Sequence, residues 1–164
     1  MSGPVILSLD LATRFGWCVG KLDSGEPEYG AQRFAPEGAP SAAVFAGAFK
    51  WTAETIQAHG VNRVVIEAPL DPRHLGPKTT RDTGLRLIGL PAVIEAAAYL
   101  CGIRSIHEAR ADAVRFKLLG RRVKKADAKS LVMAGVQARG FDCTDPDAAD
   151  ALAIWLHACG EMRK

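Results

Sequence analysis

The stretch VILSLDLATRFGWCVGKLDSGEPEYGAQRF, residues 5–34, decides the fold. It predicts three strands, at 5–11, 15–21 and 28–34, because each is rich in β-branched or aromatic residues. The turn between the first two strands has only three residues, 12–14, and the next turn contains Asp, Ser and Gly. Strands joined by such short turns pair antiparallel, so the chain begins with a three-stranded antiparallel unit.

Helices and strands alternate through the rest of the chain. Ser41 is the expected cap of the first helix, and Gly60, Gly120 and Gly140 mark helix ends. The predicted elements are a helix at 41–59, a strand at 63–68, a helix at 82–100 with a kink at Gly89 and Pro91, a strand at 103–107, and helices at 109–119, 127–139 and 146–162. This order predicts an α/β fold, a ribonuclease H-like mixed five-stranded sheet flanked by helices on both faces.

Four carboxylates stand where such a fold can bring them together. Asp10 follows the apolar run 5–9, and Glu67 follows the apolar run 64–66. Asp147 and Asp150 begin the last helix and share a face, because residues three apart lie one above the other. A cluster of this kind repels itself unless a divalent cation neutralises it, and oxygen ligands suit Mg²⁺ or Mn²⁺ rather than zinc. The sequence therefore predicts a metal site.

A structural role for the helical pair is the alternative. Asp145 is a natural N-cap, Pro146 suits the first helical position, and an acid such as Asp147 complements the helix dipole there. That explanation does not cover Asp150, which lies one turn further into the helix. The conjunction of two strand-terminal acids with a helical pair favours the metal site.

Composition and cysteine spacing exclude several classes of protein. A chain of 164 residues with 48% hydrophobic and 24% charged residues suits one ordinary globular domain. No uninterrupted apolar run approaches the roughly 20 residues that span a bilayer, and the N-terminus lacks the pattern of a secretory leader. The four cysteines are widely spaced, which favours buried or incidental thiols over a zinc site or disulfides. We expect a cytoplasmic protein that does not bind a membrane.

Positive charge is concentrated in one segment. Residues 104–129 contain nine Lys or Arg and three acids, a net charge of +6, whereas the whole chain carries +3. A basic segment in a protein that also gathers acids predicts a polyanion held against a metal centre. On charge alone, a solvated helix face explains the segment equally well.

These motifs together resemble the RuvC family of Holliday junction resolvases, in its shorter phage-type form. The resemblance rests on residues 6–10 with Gly16 and Trp17, on 64–67 and on 147–154, and it extends over about residues 5–158. It implies a single nuclease domain over 1–164 that cuts four-way DNA junctions in paired symmetric nicks, leaving 5′-phosphate and 3′-hydroxyl ends. The protein would be bacterial, or phage-encoded and active in the host cytoplasm.

The resemblance also implies which residues act. The catalytic and metal-binding acids would be Asp10, Glu67, Asp147 and Asp150, holding two Mg²⁺ ions for which Mn²⁺ can substitute. The implied DNA-binding residues are Arg115, Lys117, Arg121, Arg122, Lys124, Lys125 and Lys129. Two residues depart from the family: Arg115 stands where a lysine is usual, and Leu70 where some members have an aromatic that can stack on a base.

Further alternatives concern assembly and activity. Two symmetric cuts imply a homodimer, and the helix at 82–100 is a candidate interface, although plain core packing explains it equally well. Residues 10–14 also resemble the phosphate-binding hairpin of actin-like sugar kinases, but those enzymes need two such domains, so no nucleotide cofactor is expected. A DNA-binding scaffold would be expected to lack one of the acids. A related nuclease that cuts other branched or flapped DNA is the main alternative function.

Overall fold

The computed structural model describes residues 3–22, 24–69, 71, 73 and 76–163. Its strands are Val5–Asp10 (β1), Arg14–Lys21 (β2), Glu28–Arg33 (β3), Arg63–Glu67 (β4) and His107–Ala109 (β5). Its α-helices are Ser41–His59 (α1), Arg81–Leu100 (α2), Ala111–Leu119 (α3), Ala128–Gln137 (α4) and Pro146–Met162 (α5).

The strands form one mixed sheet in the order β3-β2-β1-β4-β5. The pairs β1–β2 and β2–β3 are antiparallel, as the short turns of the first 34 residues predict. The pairs β1–β4 and β4–β5 are parallel, so β1 lies at the centre of the sheet, where the two arrangements meet. The predicted α/β architecture with a mixed five-stranded sheet is confirmed.

Helices cover both faces of the sheet, and the alternation of side chains along β1 shows how. Leu7 and Leu9 are buried in one cluster with residues of α1 and α2, whereas Ile6 is buried in the other with residues of α3, α4 and α5. Along β4, Val65 belongs to the α5 side and its two neighbours to the opposite side. Successive side chains in a strand point to opposite faces, so the residues at even positions of β1 face α5.

Helix α5 lies unusually close to the sheet because the residues between them are small. A Cβ atom at Gly16 would stand 1.9 Å from the carbonyl oxygen of Asp147, so only glycine allows this approach. The fully buried Ser8 donates a hydrogen bond of 2.7 Å to the carbonyl oxygen of Ala151. These contacts fix the first turns of α5 over β1 and β2.

The fifth strand was predicted in the wrong place. Instead of 103–107 it occupies His107–Ala109, which pairs with Val65, Ile66 and Glu67 of β4. The apolar residues Ile103 and Ile106 that suggested a strand pack instead against the core as part of the connection. Because the strand lies later in the chain, α3 begins at residue 111 rather than 109.

Two helix details also differ from prediction. Pro40 occupies the N-cap position of α1, and the hydroxyl of Ser41 instead accepts a hydrogen bond of 3.0 Å from Arg86. Helix α4 is shorter than predicted and follows a 3₁₀ helix at Lys125–Asp127. Helix α2 is continuous through Gly89 and Pro91, and the kink expected there stays a prediction. A Cβ at Gly89 would meet the ring of Phe45 at 2.6 Å, so this glycine allows α1 and α2 to pack closely.

Helix α2 is partly packed and partly exposed. Its buried residues are Leu90, Ile94, Ala97 and Ala98. Its large exposed apolar residues are Leu85, Ile88, Tyr99 and Leu100. By length and composition alone this helix could also cross a membrane, a test that core helices of globular proteins pass as well. Core packing therefore explains one face of α2, and its exposed face stays a candidate interface.

Candidate active site

Two of the predicted acids lie side by side at the edge of the sheet where β1 and β4 end. Asp10 is the last residue of β1 and Glu67 is the last residue of β4. The strands are parallel and Leu9 is aligned with Ile66, so the residues that follow are also neighbours. Both acids occupy positions that face α5, because Asp10 is in phase with Ser8 and Glu67 with Val65. The two strands therefore aim both carboxylates toward the helix.

The first turn of α5 supplies the other two acids. Asp145 caps the helix, and its carboxylate accepts hydrogen bonds from the backbone amides of Asp147 at 2.9 Å and Ala148 at 3.1 Å. The cap predicted from the sequence is thus confirmed. Asp147 and Asp150 follow on the same helix face. Because this end of α5 lies against β2 at Gly16, the fold brings all four acids to one place.

The three acids Asp10, Glu67 and Asp150 destabilise one another's charges. Burial raises the pKa of Glu67 to about 7, and the negative charges of Asp10 and Asp150 contribute to the rise. Burial, followed by repulsion from Asp10, raises the pKa of Asp150 to about 6. The pKa of Asp10 is also raised, by burial and by the charge of Asp147. The negative charge of Asp10 thus raises the pKa values of both Glu67 and Asp150.

This donor set fits a divalent cation in its chemistry. Carboxylate oxygens are the ligands that Mg²⁺ and Mn²⁺ prefer, and a cation would offset the burial and the repulsion that raise the three pKa values. Within the described part of the chain, no three potential ligands are grouped tightly enough to surround an ion. The acids are therefore assembled in one place, but their side chains are not arranged as a finished coordination shell.

Asp147 is held differently from the other three acids. One of its oxygens pairs with the guanidinium of Arg14, and the other accepts a hydrogen bond of 2.8 Å from Lys129. Arg14 also pairs with the carboxylate of Asp145, whose pKa it lowers by hydrogen bonding. These contacts of Arg14 were not predicted from the sequence. The one local indication of them is the position of Arg14, a cation four residues after Asp10.

Two of the predicted DNA-binding cations border the acids. The positive charges of Lys129 and Arg115 lower the pKa values of Asp10, Glu67 and Asp150, although burial outweighs them. The structure therefore joins one edge of the acid cluster to the basic segment.

The remaining predicted cations lie elsewhere. Lys117 forms an ion pair of 2.9 Å with Glu161 and donates a hydrogen bond to the carbonyl oxygen of His157, so it points toward the later part of α5. The other four predicted cations are exposed in the segment between α3 and α4: Arg121, Arg122, Lys124 and Lys125. Leu70, the expected position of a stacking aromatic, lies outside the described residues.

Comparison with known proteins finds solved structures that share this fold. A scan against protein-family models finds no match, and a search of the curated proteins finds no significant one. The structure of Thermus thermophilus RuvC superimposes with a TM-score of 0.73 and 18% identity, covering 97% of this chain and 95% of that one. The chain has the RuvC fold.

Two further structures agree with that result. Thermus thermophilus RuvC in complex with a Holliday junction substrate gives a TM-score of 0.73 at 15% identity, covering 98% of this chain and 95% of that chain. The yeast mitochondrial Holliday junction resolvase gives a TM-score of 0.61 at 12% identity, covering 99% of this chain and 82% of that chain. The resemblance predicted from the sequence is confirmed in the fold over nearly the full length, whereas the phage-type assignment stays a prediction.

Proposed function

We propose that this protein is a metal-dependent endonuclease that resolves Holliday junctions by paired symmetric nicks. The observation that carries the proposal is the convergence of Asp10, Glu67 and Asp150 from a central strand, its parallel neighbour and a helix. Keeping three partly buried and mutually repelling carboxylates in a stable fold costs free energy, as their raised pKa values reflect. A site that binds cations explains that cost, and the RuvC fold supports the choice of a phosphodiester as substrate.

The acids divide into ligands and one positioned partner. Asp10, at the end of the central strand, would serve both ions, and Glu67 and Asp150 would each serve one. When bound, two divalent ions activate water and stabilise the charge on the leaving oxygen, which yields 5′-phosphate and 3′-hydroxyl products. Asp147 is anchored by Arg14 and Lys129 and completes the charge around the site. Mg²⁺ is the expected ion, with Mn²⁺ as a substitute.

The basic residues beside the acids are proposed to hold the DNA backbone. Arg115 and Lys129 are close enough to influence the acids electrostatically, so a phosphate bound by them would lie beside the proposed metal ligands. The exposed cations that follow α3 extend this positive surface away from the site. Lys117 stays a predicted DNA-binding residue, although its ammonium is paired with Glu161. Two such sites in a homodimer would cut two strands of a four-way junction.

Cleavage of synthetic DNAs tests the proposal. In Mg²⁺, the protein should cut a four-way junction at symmetric positions and should cut three-way, flap and linear DNAs much more slowly. Asp10→Asn and Asp150→Asn should abolish cutting and leave junction binding intact, because each removes a ligand charge without altering the basic surface. Asp142→Asn, which alters an exposed acid before α5, is the matched control and should cut normally.

Three results would overturn parts of this proposal. Full activity in EDTA would exclude metal dependence. Normal cleavage rates in Asp150→Asn would exclude the acid cluster as the active site. A preference for flap or three-way DNA over the four-way junction would instead identify a nuclease for other branched DNA.

A further inference from the structure

A groove of about 610 Å³ lies between α3 and the segment that follows it. Its walls are formed by Arg110, Asp112, Ala113, Arg115, Phe116, Arg122 and Val123. The volume falls in the range of pockets that enclose small organic ligands. Basic side chains dominate its polar wall, so the groove suits a ligand that carries negative charge.

Phe116 is the unusual member of this wall. More than half of its surface, 54%, is exposed, although phenylalanine is among the residues that are most often buried. It shares a helix face with Asp112 and Ala113, which lie one turn earlier in α3. An exposed aromatic side chain beside cations is typical of sites that bind single-stranded nucleic acid. In such sites the aromatic side chain stacks on a base and the cations contact the backbone.

The charges in the groove divide into one pair and two available cations. Arg110 forms an ion pair of 2.9 Å with Asp112, which reduces its attraction for an anion. Within the described part of the chain, neither Arg115 nor Arg122 has an acidic partner within 4.0 Å. These two guanidinium groups therefore remain available to a phosphate, whose oxygens they can contact in pairs.

One residue of the groove wall also lies near the acid cluster. Arg115 lies in its wall and acts electrostatically on Asp10, Glu67 and Asp150. A DNA strand whose phosphate is held near the acids can therefore place a neighbouring nucleotide in the groove. The adjacent residue in α3, Phe116, then meets the base of that nucleotide.

We propose that this groove is a nucleotide subsite in which Phe116 stacks on an unpaired base while Arg115 and Arg122 hold the flanking phosphates. The proposal rests on the proposed nuclease function, because it requires DNA at the acids. The subsite also requires that the bound base is unpaired. Paired bases cannot present a face to Phe116, so the subsite selects DNA that is open beside the bound phosphate.

The test compares two oligonucleotides that have identical backbones. A labelled 12-residue oligothymidine and an abasic strand of the same length are bound by the full-length protein, and fluorescence anisotropy measures both dissociation constants. The protein should prefer the strand with bases at least fivefold, the lower end of the usual contribution of base–aromatic stacking. Phe116→Leu should lose that preference and bind the abasic strand unchanged, whereas Phe116→Trp should keep it.

Two control variants separate stacking from other effects. Tyr99→Leu removes an aromatic of nearly equal exposure on α2, outside the groove wall, and should keep the preference. Arg122→Ala should weaken binding of both strands by the same factor and reduce the salt dependence, because it removes a phosphate contact. Thermal melting of each variant confirms that it is folded.

The possible outcomes distinguish this subsite from the nuclease itself. Equal binding of the two strands by the unaltered protein, or an unchanged preference in Phe116→Leu, would overturn the subsite. A protein that prefers bases through Phe116 but cuts no DNA in Mg²⁺ would instead overturn the proposed nuclease and leave the subsite standing.

Discussion

Replacing Glu67 by glutamine should stabilise the metal-free protein at neutral pH, although most substitutions of partly buried residues destabilise a fold. The pKa of Glu67 is raised from its usual value of 4.5 to about 7, chiefly by burial and by repulsion from Asp10. Between these two pH values the folded protein retains a proton that the unfolded chain releases. The free energy of unfolding therefore falls as the pH rises from about 4.5 to 7, and it stays reduced above pH 7.

The size of the effect follows from the separation between the two pKa values. A shift of one pKa unit corresponds to about 1.4 kcal/mol, so the full shift of Glu67 would lower the free energy of unfolding by about 3 kcal/mol. Glu67 is only partly buried, and solvent screens part of the repulsion. We therefore expect Glu67→Gln to raise the free energy of unfolding by about 1–2 kcal/mol at pH 8, which is about 2–8 °C in melting temperature for a chain of this length. At pH 4 the gain should vanish.

Thermal melting in EDTA between pH 4 and pH 8 measures this effect. Glu95→Gln, an exposed glutamate on α2, is the matched control and should change the melting temperature little at any pH. Mg²⁺ should then raise the melting temperature of the unaltered protein and should raise that of Glu67→Gln much less. Loss of stability in Glu67→Gln at pH 8, or a gain that does not depend on pH, would refute the electrostatic reasoning.

The remaining predictions concern the surroundings of the acids. Arg14→Gln should raise the Mg²⁺ concentration for half-maximal cleavage about tenfold, because Asp147 loses a partner. Arg14→Lys should need less Mg²⁺ than Arg14→Gln. If Arg14→Gln and the unaltered protein need the same Mg²⁺ concentration, the ion pair is only a surface contact. Alanine at Arg121, Arg122, Lys124 and Lys125 should weaken binding to every DNA shape and lower the salt slope by about one unit per lost phosphate contact, and an unchanged slope would place the DNA elsewhere. Mixing unaltered and Asp10→Asn protein should convert linear product from a supercoiled cruciform plasmid into nicked circles, whereas a monomer that makes unpaired nicks would contradict a homodimer.

The positions of the acids could be predicted because strand ends and helix periodicity are local properties. Asp10 and Glu67 directly follow apolar runs, and both runs proved to be parallel neighbours in the sheet. The position of β5 could not be predicted in the same way. Ile103 and Ile106 have the composition of a strand, yet the amide of Ile103 donates to the carbonyl oxygen of Ala98 and thereby completes the end of α2. Apolar side chains in a connecting segment are buried by packing as readily as by pairing.

Contacts between distant segments also could not be predicted from the local sequence pattern. Arg14 and Asp147 are 133 residues apart, and nothing in the spacing of either residue indicates an ion pair. Phe116 followed a basic residue in a helix and gave no sign that its ring would be exposed in a groove. In each case a loop or helix end had to be placed in three dimensions before the neighbour was known. Sequence predicts which acids stand at strand and helix ends more reliably than it predicts which residues contact them.

Asp147 and Asp150 show why that distinction matters for this site. Helix periodicity places both acids on one face, and sequence alone makes them equivalent ligands. In the structure Asp147 is 19% exposed and bound on both oxygens by cations, whereas Asp150 faces the charges of Asp10 with its pKa raised to about 6. Cations already neutralise the carboxylate of Asp147, whereas the charge of Asp150 is not fully compensated. Binding of a cation by the acid cluster would thus be driven by Asp10, Glu67 and Asp150, while Asp147 ties that cluster through Lys129 to the surface proposed to hold DNA.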